Sequence, residues 1–157
     1  MGKNNFKITK ADIEKIVKEV SKVLGREIKS DEFNVTVQNL SHTQPNKKDI
    51  SEGRTGVYIF YNNEGVFKVG KVGKKSAIRW SNMHYNKNGN VSTFAKSLVE
   101  KEVVGKNWSN QKIKSYILNN YGRINIVFNN TCPPFTNALI ESALHYRFKP
   151  KYEKTNK

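Results

Sequence analysis

The chain has 157 residues, the size of a single domain, and its 36% hydrophobic and 11% aromatic content is enough to build one packed core. Its 28 Lys and Arg face only 13 acidic residues, a formal charge of +15 that exceeds what solubility needs and points to a polyanionic partner. A disordered chain is not expected, and nor is a membrane-spanning helix, because no stretch approaches the roughly 18 apolar residues that a span requires.

The opening residues MGKNNFKITKAD hold no apolar run of signal-peptide length. Gly2 suggests myristoylation, but Phe6 stands where that motif wants Ser or Thr, so a cytoplasmic protein without membrane contact is expected. Thr9 with Asp12 makes a capping box, and Ile13, Ile16, Val17, Val20, Val23 and Leu24 keep helical spacing as far as Gly25, which predicts an amphipathic helix over 9–24. Phe33, Val35 and Val37 alternate with polar residues as in a short half-buried strand. The polar stretch from Ser41 to Gly53, with Pro45, reads as a linker.

A strand is expected over Val57–Tyr61, a turn at 62–65 and a return strand over Val66–Val69, which together make a hairpin. Helices are expected near 76–84 and 94–102, separated by an irregular polar segment at 86–90. Ser109 caps a further helix over 111–121 closed by Gly122; a strand over 124–128 and a last helix over 136–148 follow. This order gives an α/β layer with too few parallel crossovers to be doubly wound. The lone Cys132, followed by Pro133 and Pro134, can form neither an intramolecular disulfide nor a cysteine-rich zinc site, and a packed, inert thiol is expected.

Charge divides the chain unevenly. Residues 1–52 carry ten basic and eight acidic side chains, a net of +2, whereas residues 53–157 carry 18 and five, a net of +13. The polyanion-binding surface is therefore placed in residues 53–157, with 1–52 as an extension serving recognition or dimerisation.

Gly56-Val57-Tyr58, followed after a turn by Lys68-Val69-Gly70, resembles the two half-motifs of the GIY-YIG nucleases, with lysine in place of the second tyrosine. Arg79, nine residues past Gly70, is similar in position to the arginine that this family carries on the following helix. Glu141 on the final helix matches the family's metal-binding glutamate, and Pro150, nine residues on, matches the proline that ends that helix. Lys71 matches a basic residue that many members carry there. Lysine in the second half-motif is shared with a restriction-enzyme branch, whereas Glu153 stands where the family often has Asn.

The resemblance implies an α/β (α+β) fold on a small, mainly antiparallel three-stranded sheet flanked by helices. Residues 53–157 would be the catalytic domain and residues 1–52 a helix-and-strand appendage. It implies a bacterial or phage-encoded intracellular enzyme that hydrolyses phosphodiester bonds in double-stranded DNA with Mg²⁺, Mn²⁺ being a substitute. Its kind would be a small type II restriction endonuclease or, alternatively, a phage or mobile-element endonuclease, with a homodimer as one form.

Phosphodiester hydrolysis needs a deprotonated water, charge neutralisation on the phosphoryl oxygens and help for the leaving oxygen. Glu141 offers a hard carboxylate for Mg²⁺, which is commonly held by one or two carboxylates plus phosphate and water. Tyr58 can act as a base near neutrality only if cations lower its pKa, and Lys68, Lys71 and Arg79 would supply them. Lys68 is itself a candidate for proton transfer, Arg79 can fork onto the scissile phosphate, and His84 is a candidate proton relay. Lys74, Lys75, Asn86, Lys87, Asn88 and Lys96, with Asn90, Ser92 and Thr93, combine basic and amide side chains suited to phosphates and base edges.

Each of these residues taken alone also has an ordinary reading. Tyr58 and Tyr61 would be half-buried strand aromatics, Lys68 a solvated strand residue, Arg79 a surface charge, and Glu141 an ion-pair partner of Arg147 or a neighbour of His145. Gly73-Lys74 is no phosphate loop, since Lys75 stands where Ser or Thr must ligate Mg²⁺, and Glu141 with His145 lacks a third zinc ligand. The rival from another class is a non-catalytic nucleic-acid-binding module, with Gly70-Lys71-Val72-Gly73 as the G-x-x-G loop of a KH domain.

Overall fold

Thr9 accepts the backbone N–H of Asp12, and the Asp12 carboxylate accepts the Thr9 N–H at 2.8 Å, so the expected capping box opens helix α1 (Lys10–Val23). Gly25, at φ +100°, provides the left-handed turn after it. The computed structural model describes residues 5–89 and 91–153; Gly2 and Asn90 lie outside them. None of the helices described is long and apolar enough to cross a membrane.

Strands β1 (Phe33–Gln38), β2 (Thr55–Asn62), β3 (Gly65–Val72) and β4 (Gly122–Phe128) form one antiparallel sheet in the order β1-β4-β2-β3. The sheet thus has four strands rather than the three expected, because β1 is no appendage: it pairs along its whole length with β4, from Phe33 opposite Phe128 to Gln38 opposite Arg123. Phe33 and Val35 face inward and complete the layer begun by Ile124, Ile126 and Phe128. About ninety residues separate the two strands, so local alternation reveals the strand but not its partner.

Helices α1 and α5 (Thr136–Phe148) cover one face of the sheet, where Ile13, Val17, Val57, Ile59, Ile140 and Leu144 make an apolar core. On the other face pack α2 (Ala77–Ser81), a 3₁₀ turn at Met83–Tyr85, α3 (Phe94–Glu100) and α4 (Asn110–Asn120). Its core is aromatic and includes Tyr58, Phe60, Phe67, Trp80, Tyr85 and Phe94. The unbroken run Val57–Tyr61 follows from this layering, since a central strand covered on both faces has no solvent side.

The expected linker at 41–53 instead packs across the aromatic face. His42 and Ile50 are buried, the His42 N–H bonds the Leu118 carbonyl at 2.9 Å, and Lys47–Ile50 forms a 3₁₀ turn. Beyond α5, Lys149 turns the chain at φ +46° and the last described residues run along the free edge of β3. Lys151 N–H bonds the Val66 carbonyl, Tyr152 N–H bonds that of Phe67, and the Glu153 carboxylate accepts the Val69 N–H at 3.3 Å.

Candidate active site

The two half-motifs meet because β2 and β3 pair with Tyr58 opposite Gly70 and Phe60 opposite Lys68. A Cβ at Gly70 would run into the Tyr58 ring and hydroxyl, and one at Gly56 into the Trp80 indole. These glycines are needed for close approach: the aromatic side chains occupy the space that a larger residue would take.

Tyr58 is fully buried, with Arg79 of α2 beside its hydroxyl and the His84 ring 4.2 Å from its own. Burial pushes the Tyr58 pKa up to about 12, and the opposing pull of Arg79 and Arg123 does not offset it. The expected lowering by nearby cations is therefore outweighed, and Tyr58 is a neutral phenol at pH 7. Lys68 is only 4% exposed rather than solvated, and its ammonium donates to Ser92 Oγ at 3.2 Å. Burial lowers its pKa, while Glu153, Glu100 and Glu141 pull the other way and Arg79 adds to the lowering. His84 is sealed in the core; burial first, then Arg123, Arg79 and Lys68, hold its pKa well below the usual value. Its Nδ1 accepts the Phe94 N–H at 3.3 Å, which leaves the proton of the neutral ring on Nε2. Among the described residues the buried side-chain polar atoms without a partner are Tyr58 Oη, Arg79 Nε and His84 Nε2, all within this cluster.

Arg123 holds the cluster from behind and was not singled out by its sequence context. Fully buried, it donates to Asn125 Oδ1 at 2.8 Å, the Tyr85 hydroxyl at 3.1 Å and the Trp80 carbonyl at 2.8 Å. Its guanidinium also lies 5.1–5.4 Å from the ring centroids of Phe60, Trp80 and Tyr58. Trp80 and Tyr85 each adjoin a site residue, Arg79 and His84, so one side chain anchors both. His42 extends the network: Nδ1–H donates to the Tyr121 carbonyl at 2.6 Å and Nε2 accepts the Tyr85 hydroxyl at 2.9 Å.

Glu141 lies at the β3 edge of the sheet. Its Oε2 takes the Lys71 ammonium at 2.6 Å, while Oε1 has only His145 Nε2 at 4.0 Å; Arg147 is not its partner. That free oxygen on a carboxylate with 18% of its side chain exposed fits a hard cation completed by water and phosphate. Among the described residues no group of three or more His, Cys, Asp and Glu is placed to hold a metal ion. Glu141 reaches the buried cluster through the field it exerts on Lys68.

The predicted DNA-contacting residues divide. Lys74 and Lys75 are exposed in the loop between β3 and α2, and Asn88 is exposed as well. Lys87, by contrast, is tied to the Lys106 and Trp108 carbonyls at 2.6 and 2.7 Å; Asn86 Oδ1 accepts the Asn88 N–H, and Lys96 reaches the Gly89 carbonyl at 3.4 Å. Asn86 and Lys96 brace their own loop, and Lys87 ties it to the segment before α4. Gly70–Val72 lie inside β3 and Gly73 leads into α2, so the G-x-x-G stretch joins a strand to a helix rather than two helices. The Cys132 thiol is half-buried against the Glu32 carbonyl at 3.4 Å, and burial raises its pKa. The chain matches no protein-family model, no curated protein and no solved structure.

Proposed function

We propose that the chain is a Mg²⁺-dependent DNA endonuclease of GIY-YIG type, hydrolysing phosphodiester bonds of double-stranded DNA as a site-specific restriction enzyme of the cytoplasm. The observation that carries this reading is the gathering of three unpartnered buried polar atoms around Tyr58, beside a buried lysine. Native interiors pair most such atoms, and three gathered around one buried tyrosine with an arginine beside it mark the place where a polar ligand or water would be held. The net charge of +13 in residues 53–157 supports a polyanionic substrate.

In this reading Arg79 and Lys71 draw the scissile phosphate toward the β3 edge, and Lys71 exchanges Glu141 for phosphate as DNA arrives. Glu141 would hold the Mg²⁺, which supplies charge neutralisation on the phosphoryl oxygens. Lys68 is better suited than Tyr58 to take and return a proton, because burial lowers its pKa and raises that of Tyr58. Tyr58 and His84, sealed from solvent, are positioning residues, with Tyr58 lying against Arg79 and the His84 ring packed on that of Tyr58.

Plasmid DNA incubated with the protein in Mg²⁺ or EDTA, beside Glu141→Gln, tests the reading. Discrete metal-dependent fragments that the variant fails to produce are expected. Intact plasmid with salt-sensitive binding would overturn the assignment in favour of a DNA-binding protein.

A further inference from the structure

On the face of the sheet that carries Tyr58, the helices leave the β1–β4 end uncovered. Asn34 and Thr36 of β1 lie there beside Asn125 and Val127 of β4, lining a shallow trough of about 280 Å³ closed by residues 43–49 and Arg54. The loop wall is tied to the active-site helix, since Gln44 Nε2 donates to the Ser81 carbonyl of α2 at 2.6 Å.

The trough is lined with amides that are each fastened at one end. Asn125 Oδ1 is held by Arg123, Gln38 Oε1 by the Thr43 N–H at 2.7 Å, and Asn46 Oδ1 by the Lys48 N–H at 2.9 Å, so three NH₂ groups remain as donors. Gln44 spends its NH₂ on Ser81, and Asn129 spends its own on the Asp31 carbonyl at 2.9 Å, leaving two carbonyl acceptors. None of these second ends has a partner among the described residues. A fixed set of neutral donors and acceptors over a Val127 and Pro45 floor is chemistry for reading hydrogen-bonding edges.

No aromatic side chain lines the trough, which argues against a stacked sugar or splayed single-stranded bases. The rim acids are engaged: Asp49 accepts the Trp80 indole N–H at 3.2 Å and Glu52 pairs with Arg54 at 3.4 Å. Lys47 and Lys48, both exposed, have no ion-pair partner among the described residues and are free for phosphates. We propose that this trough is the base-reading surface of the protein, with β1 and β4 presenting amides to base edges of duplex DNA while Lys47 and Lys48 hold its backbone. The proposal rests on DNA being the substrate of the neighbouring site and adds where its sequence is read.

Selection from duplex DNA with a randomised core of about one helical turn, in EDTA so that binding is read without cleavage, tests it. The wild-type protein is expected to enrich a short motif. Asn34→Ala/Thr36→Ala, on exposed positions that do not endanger the fold, and separately Gln38→Ala, are expected to lose about five- to a hundredfold preference at one or two base positions. Lys47→Ala/Lys48→Ala is expected to weaken all sequences alike and reduce the salt slope by about one per lysine. An unchanged motif in the trough variants, no motif with wild-type protein, or a motif only in an RNA pool would overturn the proposal. Failure of the nuclease reading is seen separately in Mg²⁺, as plasmid left intact by the wild-type protein or cut equally by Glu141→Gln.

Discussion

The two faces of the sheet are built from different chemistry. Against α1 and α5 the buried layer is mostly aliphatic, and its polar contacts are local ones, such as Ser21 Oγ accepting the Ile28 N–H and the Tyr61 hydroxyl bonding Asn39. Against α2, α3 and α4 the same strands bury Lys68, His84, Arg123 and Asn125 among aromatic rings. A buried arginine without a carboxylate is expensive even when fully hydrogen-bonded, and three unpartnered polar atoms add to that cost. One face is therefore cheap to bury, and the other carries the costly groups for which the proposed site would account.

The contrast is broken most directly by removing the costly groups. Lys68→Met is expected to lower plasmid cleavage by about 100-fold or more, and Tyr58→Phe, which removes a group beside Arg79, by about 10- to 100-fold. Tyr58→Phe should at the same time stabilise the fold by about 1 kcal/mol, since it deletes an unsatisfied buried hydroxyl. Urea denaturation and initial cleavage rates measure the two, and a fully active Tyr58→Phe would remove the functional side of the comparison. Arg123→Met is expected to cost about 2–4 kcal/mol, because three acceptors lose their donor, and to reduce cleavage by the protein that remains folded. Ile126→Ala on the opposite face should cost a similar 2–5 kcal/mol with the folded fraction cutting at the wild-type rate.

Acid separates the faces as well. The folded-state pKa values of His84 and His42 lie below the ordinary 6.5, that of His42 at about 4, chiefly through burial. Below about pH 6.5 the unfolded chain takes up protons that the fold refuses, so stability should fall as pH drops through 6.5 toward 4. Urea midpoints measured across that range should flatten in His84→Phe, and an unaltered slope would show that His84 is not held neutral. The smallest effect is expected from Thr9→Ala, which removes the α1 cap at a cost of about 1 kcal/mol and leaves cleavage as it was.

Local structure was largely legible. Helix α5 runs over the expected 136–148, and the hairpin and the α1 cap follow their turn and capping signals. What escaped was long-range. Strand β1 was visible through Phe33 and Val35, but nothing local tells it to join β4. Residues 41–53 read as a linker because they are polar, yet His42 finds the Tyr121 carbonyl and Tyr85 hydroxyl in the core.

Arg123 and Asn125 show why part of the site was hidden. On an alternating strand they look like the solvent face, and only the helices arriving from residues 77–120 make that face an interior. Tyr58, Lys68 and Arg79 were legible as parts of a motif and His84 as a separate relay candidate, and these four lie together, whereas Lys71 and Glu141 of the same motif pair with each other. Lys87 and Lys96 were legible only as charge; their spent hydrogen bonds could not be read from composition.

The three residues that run beside β3 protect the sheet. A bare outer strand offers its unpaired N–H and carbonyl groups to any other chain and invites open-ended stacking. Here Lys151, Tyr152 and Glu153 occupy those groups at Val66, Phe67 and Val69. Because Glu153 also acts on the charge of Lys68, the segment that covers the sheet edge is also one that favours the charged form of this buried amine. Trimming it should therefore affect both at once, leaving a stickier protein with a differently poised lysine.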